Sequence, residues 1–224
     1  MAWQFDGVRI ESVAIVDDNE DARLSMRDEL SDSAVEPRIV AGPYFEDAQK
    51  LVTAARDEAD AAIFDHHLST YNFARCTGAE AVAVSYDQQF PAVLITAYSK
   101  ADIDGIRRFR RRVPALLTPD QADPDSIQRA FEVCVLEFKQ HFLPSRKPTK
   151  TLVRVEDVDP EPKIPIVYAI VSAWNSEEVV RFPLDVMPEN VRDRATAGAH
   201  FYAIVNIGAE SQADLYLEQF EFRA

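Results

Sequence analysis

Short apolar runs that stop at a carboxylate or a threonine constrain this chain more than any other feature. Ser12 to Val16 runs into Asp17-Asp18, Ala61 to Phe64 into Asp65, and Ala92 to Ile95 into Thr96-Ala97. Each run is too brief for a helix and apolar at consecutive positions, which is how a strand buried on both faces reads. Arg38 to Ala41, closed by Gly42-Pro43, and Ala115 to Leu117, halted by Thr118-Pro119, complete a set of five. Between them lie amphipathic stretches. Asp21 to Leu30 puts Ala22, Met26 and Leu30 on one face, and Phe45 to Arg56, Ala79 to Tyr86 and Ile103 to Arg112 also read as helices. Asp125 to His141 carries the longest stripe, Ile127, Phe131, Cys134 and Phe138. Strand and helix alternating five times predicts a doubly wound parallel sheet covered on both faces, an α/β domain over residues 8–142.

The character changes after Phe142. Residues 143–163 hold several prolines and a run of Lys/Arg followed by Asp/Glu, and read as a linker that includes a strand at Leu152 to Val155. Residues 164–224 are strand-rich: Ile166 to Ala173, Glu178 to Phe182, His200 to Ile207 and Leu215 to Phe222, with a single helical turn at Met187 to Val191. This pattern predicts a small all-β domain, a barrel or sandwich, whose core is Trp174, Phe182, Phe201, Tyr202, Tyr216, Phe220 and Phe222.

Charge narrows the function classes. With 24 Lys+Arg against 38 Asp+Glu the formal charge is −14, which disfavours nucleic-acid and anionic-membrane surfaces. No apolar run approaches the roughly 18 residues of a spanning helix, and Cys76 and Cys134 lie outside any CxxC spacing, so a soluble, cytoplasmic protein with reduced, inert thiols is expected. The arginines Arg107, Arg108, Arg110, Arg111 and Arg112 are the exception to the acidic balance. They read either as a solvated helix face or as a docking site for an acidic protein surface, the chain's own C-terminal domain included.

In a parallel sheet ligands gather outside the carboxyl ends of the strands. Asp17, Asp18 and Asp65 all sit at such ends, and three converging acids repel one another unless a cation neutralises them. A hard divalent ion such as Mg²⁺ suits oxygen donors of this kind. With the Thr96 hydroxyl on the same rim, the set suits phosphoryl transfer to a carboxylate.

In these segments the chain resembles the receiver domain of two-component response regulators: Val13 to Arg23 with Asp17-Asp18, Ala62 to Asp65, Gly78-Ala79-Glu80, and Pro91 to Ala97. The resemblance covers about residues 10–140. It implies a flavodoxin-like (βα)5 fold, with Asp65 as phosphoacceptor and Mg²⁺ held by Asp17, Asp18, Asp65 and the backbone carbonyl of His67. It also implies that Thr96 senses the phosphoryl group, and that a sensor histidine kinase or phosphotransfer protein is a partner.

The sequence departs from that pattern at three places. Thr118 replaces the lysine before Pro119, which removes a cation that would pair with the phosphoryl group. Ala115 replaces the aromatic switch residue, and the stretch between Asp65 and Gly78 is longer than usual. Lys100 or an arginine of the basic helix could supply the missing charge. Two functions follow as expectations. In one the receiver is phosphorylated on Asp65 and regulates an interaction of the β domain. In the other a pseudo-receiver acts as a phosphorylation-independent adaptor. An independent enzyme is not expected, since no further nucleophile is paired with a base. His66 and His67 lack a third ligand at useful spacing and read as surface histidines.

Overall fold

The computed structural model describes residues 2–97 and 100–223, with backbone alone at Lys100 and Ala101. The elements run β1 (Trp3–Phe5), β2 (Val8–Ile10), β3 (Ser12–Val16), α1 (Glu20–Leu30), β4 (Glu36–Ile39), α2 (Ala48–Glu58), β5 (Ala61–Asp65), α3 (Gly78–Asp87), β6 (Ala92–Ile95) and α4 (Lys100–Arg107). They continue with β7 (Leu116–Leu117), α5 (Pro124–Phe138), β8 (Thr149–Asp159), β9 (Ile166–Val171), β10 (Asn175–Pro183), α6 (Glu189–Arg192), β11 (His200–Val205) and β12 (Leu217–Phe222). The chain divides into two compact units, Met1–Tyr98 with Arg112–His141, and Ser99–Arg111 with Phe142–Ala224. Among the described residues no helix is long and apolar enough to cross a membrane.

The N-terminal unit is built on a five-stranded parallel sheet of order β4-β3-β5-β6-β7. Counting these strands alone, the order is 2-1-3-4-5, the flavodoxin-like doubly wound arrangement, whose strand order reverses between the first and third strands. β3, β5 and β6 are buried almost throughout, as their unbroken apolar runs require. Ile15, Ile63, Val93 and Ile95 meet Ile127, Phe131, Cys134 and Val135 of α5 in the core. Helix starts follow side-chain chemistry: Asn19, Asp47, Thr77 and Asp123 each accept a backbone N–H of the first turn.

The unit begins earlier than residue 8. β1 and β2 form an antiparallel hairpin, and Asp6 and Gly7 at its tip both have positive φ, 41° and 84°. Asp-Gly is the residue pair such a two-residue turn selects. Trp3 and Phe5 are buried in the core, and the Trp3 ring lies 6.0 Å from Phe131.

The C-terminal unit is an open five-stranded antiparallel sheet of order β10-β9-β8-β11-β12. Residues 143–163 are therefore no linker, because they contain β8, the middle strand of that sheet. Inward-facing Thr151, Val153 and Val155 alternate with Lys150, Leu152 and Arg154, a period-2 pattern that the flanking prolines and charges obscure. Four strand spacings of a flat sheet would hold the edge strands ~19 Å apart. The rings of Phe182 on β10 and Phe220 on β12 nevertheless have centroids 5.8 Å apart, so the sheet curls strongly around its core. Phe201 packs edge-on to Phe220 at 6.2 Å. Tyr202 and Phe222, expected in this core, are outward and partly exposed instead, beside Lys150, Arg223 and Arg194.

Candidate functional site: an acidic rim on the parallel sheet

β3 and β5 are parallel neighbours in the register Val16↔Phe64, so the residues that follow emerge on the same rim. Carboxylate oxygens of Asp17, Asp18 and Asp65 all lie within 4.8 Å of one another. β6 pairs Ile95 with Asp65, and Thr96 follows directly, its N–H donating to the Leu117 carbonyl at 3.1 Å. The Thr96 side chain is buried. Thr118 and Ala115 bracket β7; Ala115 is packed in the core, and the Thr118 N–H donates to the Gln121 side chain at 3.2 Å.

Local hydrogen bonds fix the acids. The Asn19 N–H donates to Asp17 at 2.7 Å, the His67 N–H to Asp65 at 2.6 Å, and the Tyr71 N–H to Asp18 at 2.9 Å. Arg23 reaches the Asp17 backbone carbonyl at 2.6 Å. Asn19, Arg23 and Tyr71 were not legible as site residues. Asn19 ahead of an acidic first turn carries an N-cap signature, but nothing in the sequence announces Tyr71, whose N–H comes from a loop 53 positions away.

That loop is the extra length after Asp65, and it is ordered. Phe45 and Ala74 form a parallel bridge, the Phe45 and Phe73 rings meet at a tilt with centroids 5.3 Å apart, and Arg23 lies over Phe73 at 5.7 Å. The loop closes onto Gly78, whose N–H donates to the His66 carbonyl at 3.0 Å. A Cβ at position 78 would overlap the Asp65 carbonyl oxygen, so the start of α3 can rest on the acceptor strand only with glycine there.

The electrostatics are those of uncompensated acids. Burial, then the neighbouring Asp17 charge, push the Asp65 carboxyl up to about 6, against the opposing pull of the His67 and His66 N–H groups. Asp17 is likewise raised, first by burial and then by Asp18, although Asn19 and Arg23 oppose it. An all-oxygen donor set that repels itself fits a hard divalent ion such as Mg²⁺. A cavity of about 460 Å³ opens beside Asp17 and Asp65, with Ile15, Ile63, Ile95 and Met26 among its walls, and among the described residues no Lys, Arg or His lines it. Neither cysteine belongs to the site. Burial pushes the Cys76 thiol up to about 11, and the Cys134 thiol donates to the Ala92 carbonyl at 3.2 Å.

No protein-family model matches the sequence, and no curated protein does. Solved structures do resemble it. NtrX from Brucella abortus is 20% identical over 58% of this chain with a TM-score of 0.43, and the chain spans only 28% of the length of NtrX. The receiver domain of an HD domain-containing protein from Pseudomonas fluorescens is 15% identical, with 59% of this chain and 92% of that one covered and a TM-score of 0.44. The chemotaxis response regulator CheY4 of Vibrio cholerae is 19% identical, covering 54% and 98% with a TM-score of 0.40. The N-terminal unit has the flavodoxin-like strand order 2-1-3-4-5, with the acids at the ends of its first and third strands.

The arginine cluster meets the C-terminal part of the chain. Residues 99–111 group with the C-terminal unit, and most of their cations are engaged there. Arg107 is 2% exposed and donates at 2.6 Å to the carbonyls of both Gln212 and Leu215. Arg110 pairs with Asp214 at 3.2 Å, while Arg111 lies near Glu218 at 3.6 Å and over the rings of Phe142 and Tyr216. Of the expected readings, Arg107 and Arg111 follow the one in which the cluster docks on the chain's own C-terminal part. Arg108, 3.8 Å from Asp185, and Arg112, which pairs with Asp87 at 2.7 Å in the N-terminal unit, keep substantial exposure. The Lys100 side chain lies outside the described residues.

Proposed function

We propose that the chain is a two-component signalling protein whose N-terminal unit accepts a phosphoryl group on Asp65 and whose C-terminal unit carries the regulated interaction. The convergence of Asp17, Asp18 and Asp65 on one rim of a flavodoxin-like sheet carries the reading. Asp17, Asp18, Asp65 and the His67 carbonyl would hold Mg²⁺, which supplies charge neutralisation for the phosphoryl oxygens. An Asp65 carboxylate oxygen attacks phosphorus of the donor, a phosphohistidine of a sensor kinase or phosphotransfer protein. The P–N bond breaks as the acyl phosphate forms, and the imidazole leaves. The His67 N–H on Asp65 and the Asn19 N–H on Asp17 hold the acids in place for this step. Thr96 is the hydroxyl nearest in sequence to the rim and is assigned to the phosphoryl oxygen.

A second reading is favoured by one observation: among the described residues, no basic one lines the cavity beside Asp65. In it the unit is a pseudo-receiver, an adaptor that works without phosphorylation. Incubation with acetyl phosphate and Mg²⁺ separates the two. The first reading expects acid-labile phosphate on the wild type, at least ~100-fold less on Asp65→Asn, and greater accumulation on Thr118→Lys. A wild type unlabelled both by acetyl phosphate and by phosphorylated histidine donors leaves the adaptor.

A further inference from the structure

The cavity beside Asp17 and Asp65 is larger and more apolar than a metal ion requires. Six waters around an octahedral ion account for ~180 Å³. The space here is about 460 Å³, within the roughly 300–1,000 Å³ of small-molecule sites. Ile15, Ile63 and Ile95, buried residues of three adjacent strands, and Met26 of α1 supply its apolar wall. A hydrated hard cation gains nothing from such a surface, whereas a hydrocarbon chain does.

The cavity is also elongated. Ala22, Ser25, Met26 and Glu29 all line it and fall on one face of α1, so it follows that helix for about 10 Å. Asp17 and Asp65 stand at the carboxyl rim of the sheet, where α1 begins, and Glu29 lies in the last turn of α1, away from that rim. Carboxylates are thus found toward both ends of the slot with hydrocarbon between them. Asp120 and Asp123 also line it, the latter already engaged by the Ser126 N–H and hydroxyl as the cap of α5. Among the described residues no Lys, Arg or His lines the space, so an anion is repelled and an organic cation is attracted. A cation with a single charge leaves one end unmatched. We propose that the cavity is a binding site for an aliphatic diamine, with one ammonium at Asp17 and Asp65, the chain against Ile15, Ile63, Ile95 and Met26, and the second ammonium at Glu29. Neither phosphorylation of Asp65 nor a bound metal is needed for it.

Calorimetric titration of the full chain at pH 7.5 with α,ω-diaminoalkanes, from 1,2-diaminoethane to 1,6-diaminohexane, tests the site. Chelator is present throughout, because a divalent ion and an ammonium both draw on Asp65, and the outcome is then independent of the metal reading. Saturable binding is expected, with a dissociation constant below about 1 mM for the best chain. Affinity should rise about fourfold with each added methylene until the slot is filled. Glu29→Gln, at an exposed position, should weaken the best diamine about threefold and leave 1-aminobutane unchanged. Asp65→Asn should weaken both amines. No saturation by about 10 mM overturns the site. Affinity that ignores chain length overturns it as well, since that is cations gathering on an acidic surface. Equal effects of Glu29→Gln on the diamine and on 1-aminobutane overturn the two-ended arrangement.

Discussion

Both units gather like charges, and they treat them in opposite ways. In the C-terminal unit Arg107, Arg110, Arg111 and Arg146 crowd around one turn, and carbonyls, carboxylates or aromatic faces meet them. In the N-terminal unit Asp17, Asp18 and Asp65 crowd one rim, where Arg23 and His67 lie beside them and backbone N–H groups donate to their carboxylates. Fixed dipoles orient a carboxylate but only partly offset its charge, so the Asp65 carboxyl is held up at about 6. Compensated charge of the first kind builds structure, and uncompensated charge of the second kind is left for a ligand to satisfy.

The largest effect that would break this contrast is at Arg107. Arg107→Ala leaves one buried and one part-buried carbonyl without their donor and opens a void, and should destabilise the C-terminal unit by about 2–4 kcal/mol. Denaturant unfolding followed in that unit measures it. A loss below about 1 kcal/mol would mean that the arginines are no more compensated than the acids.

Asp65→Asn should act with the opposite sign. A carboxyl held at about 6 against an ordinary 3.8 makes its ionised form unfavourable in the folded state. The penalty is complete above about pH 6, fades as the pH falls from there toward 4, and is removed by the amide. Discounted for solvent screening, the gain is about 1–2 kcal/mol at pH 7.5 in chelator, vanishing near pH 4. Thermal unfolding across that range checks it; an amide variant less stable than wild type at pH 7.5 would show the acids to be compensated after all. Saturating Mg²⁺ should reverse the order, since binding to the folded state stabilises it.

The smallest effect sharpens the comparison inside the arginine cluster itself. Arg108 is half exposed and 3.8 Å from Asp185, so Arg108→Ala should change stability by no more than ~0.5 kcal/mol. A loss comparable to that of Arg107→Ala would show that burial does not divide the cluster.

Legibility followed the range of the interactions. The hairpin at Trp3 to Ile10 escaped the sequence reading, although Asp6-Gly7 carries its turn signal, because three-residue strands have too little periodicity to register. β8 was legible only as a short strand, Leu152 to Val155, within a linker, because charges and prolines on either side masked the rest of its alternation. Asn206 and Tyr216 look like ordinary strand residues, and their roles come from the Ser145 and Arg146 carbonyls some 60 to 70 positions away.

The sequence alone determined the acid rim. Buried parallel strands are apolar at every position, so their ends are marked wherever the run meets a charge. Parallel pairing then delivers those ends to one edge whatever the loops do. The fate of the arginine helix was decided only in the tertiary structure. An amphipathic basic stretch reads the same against solvent, a partner or its own chain, and the backbone carbonyls of Gln212 and Leu215 that receive Arg107 exist at every residue and leave no mark in a sequence.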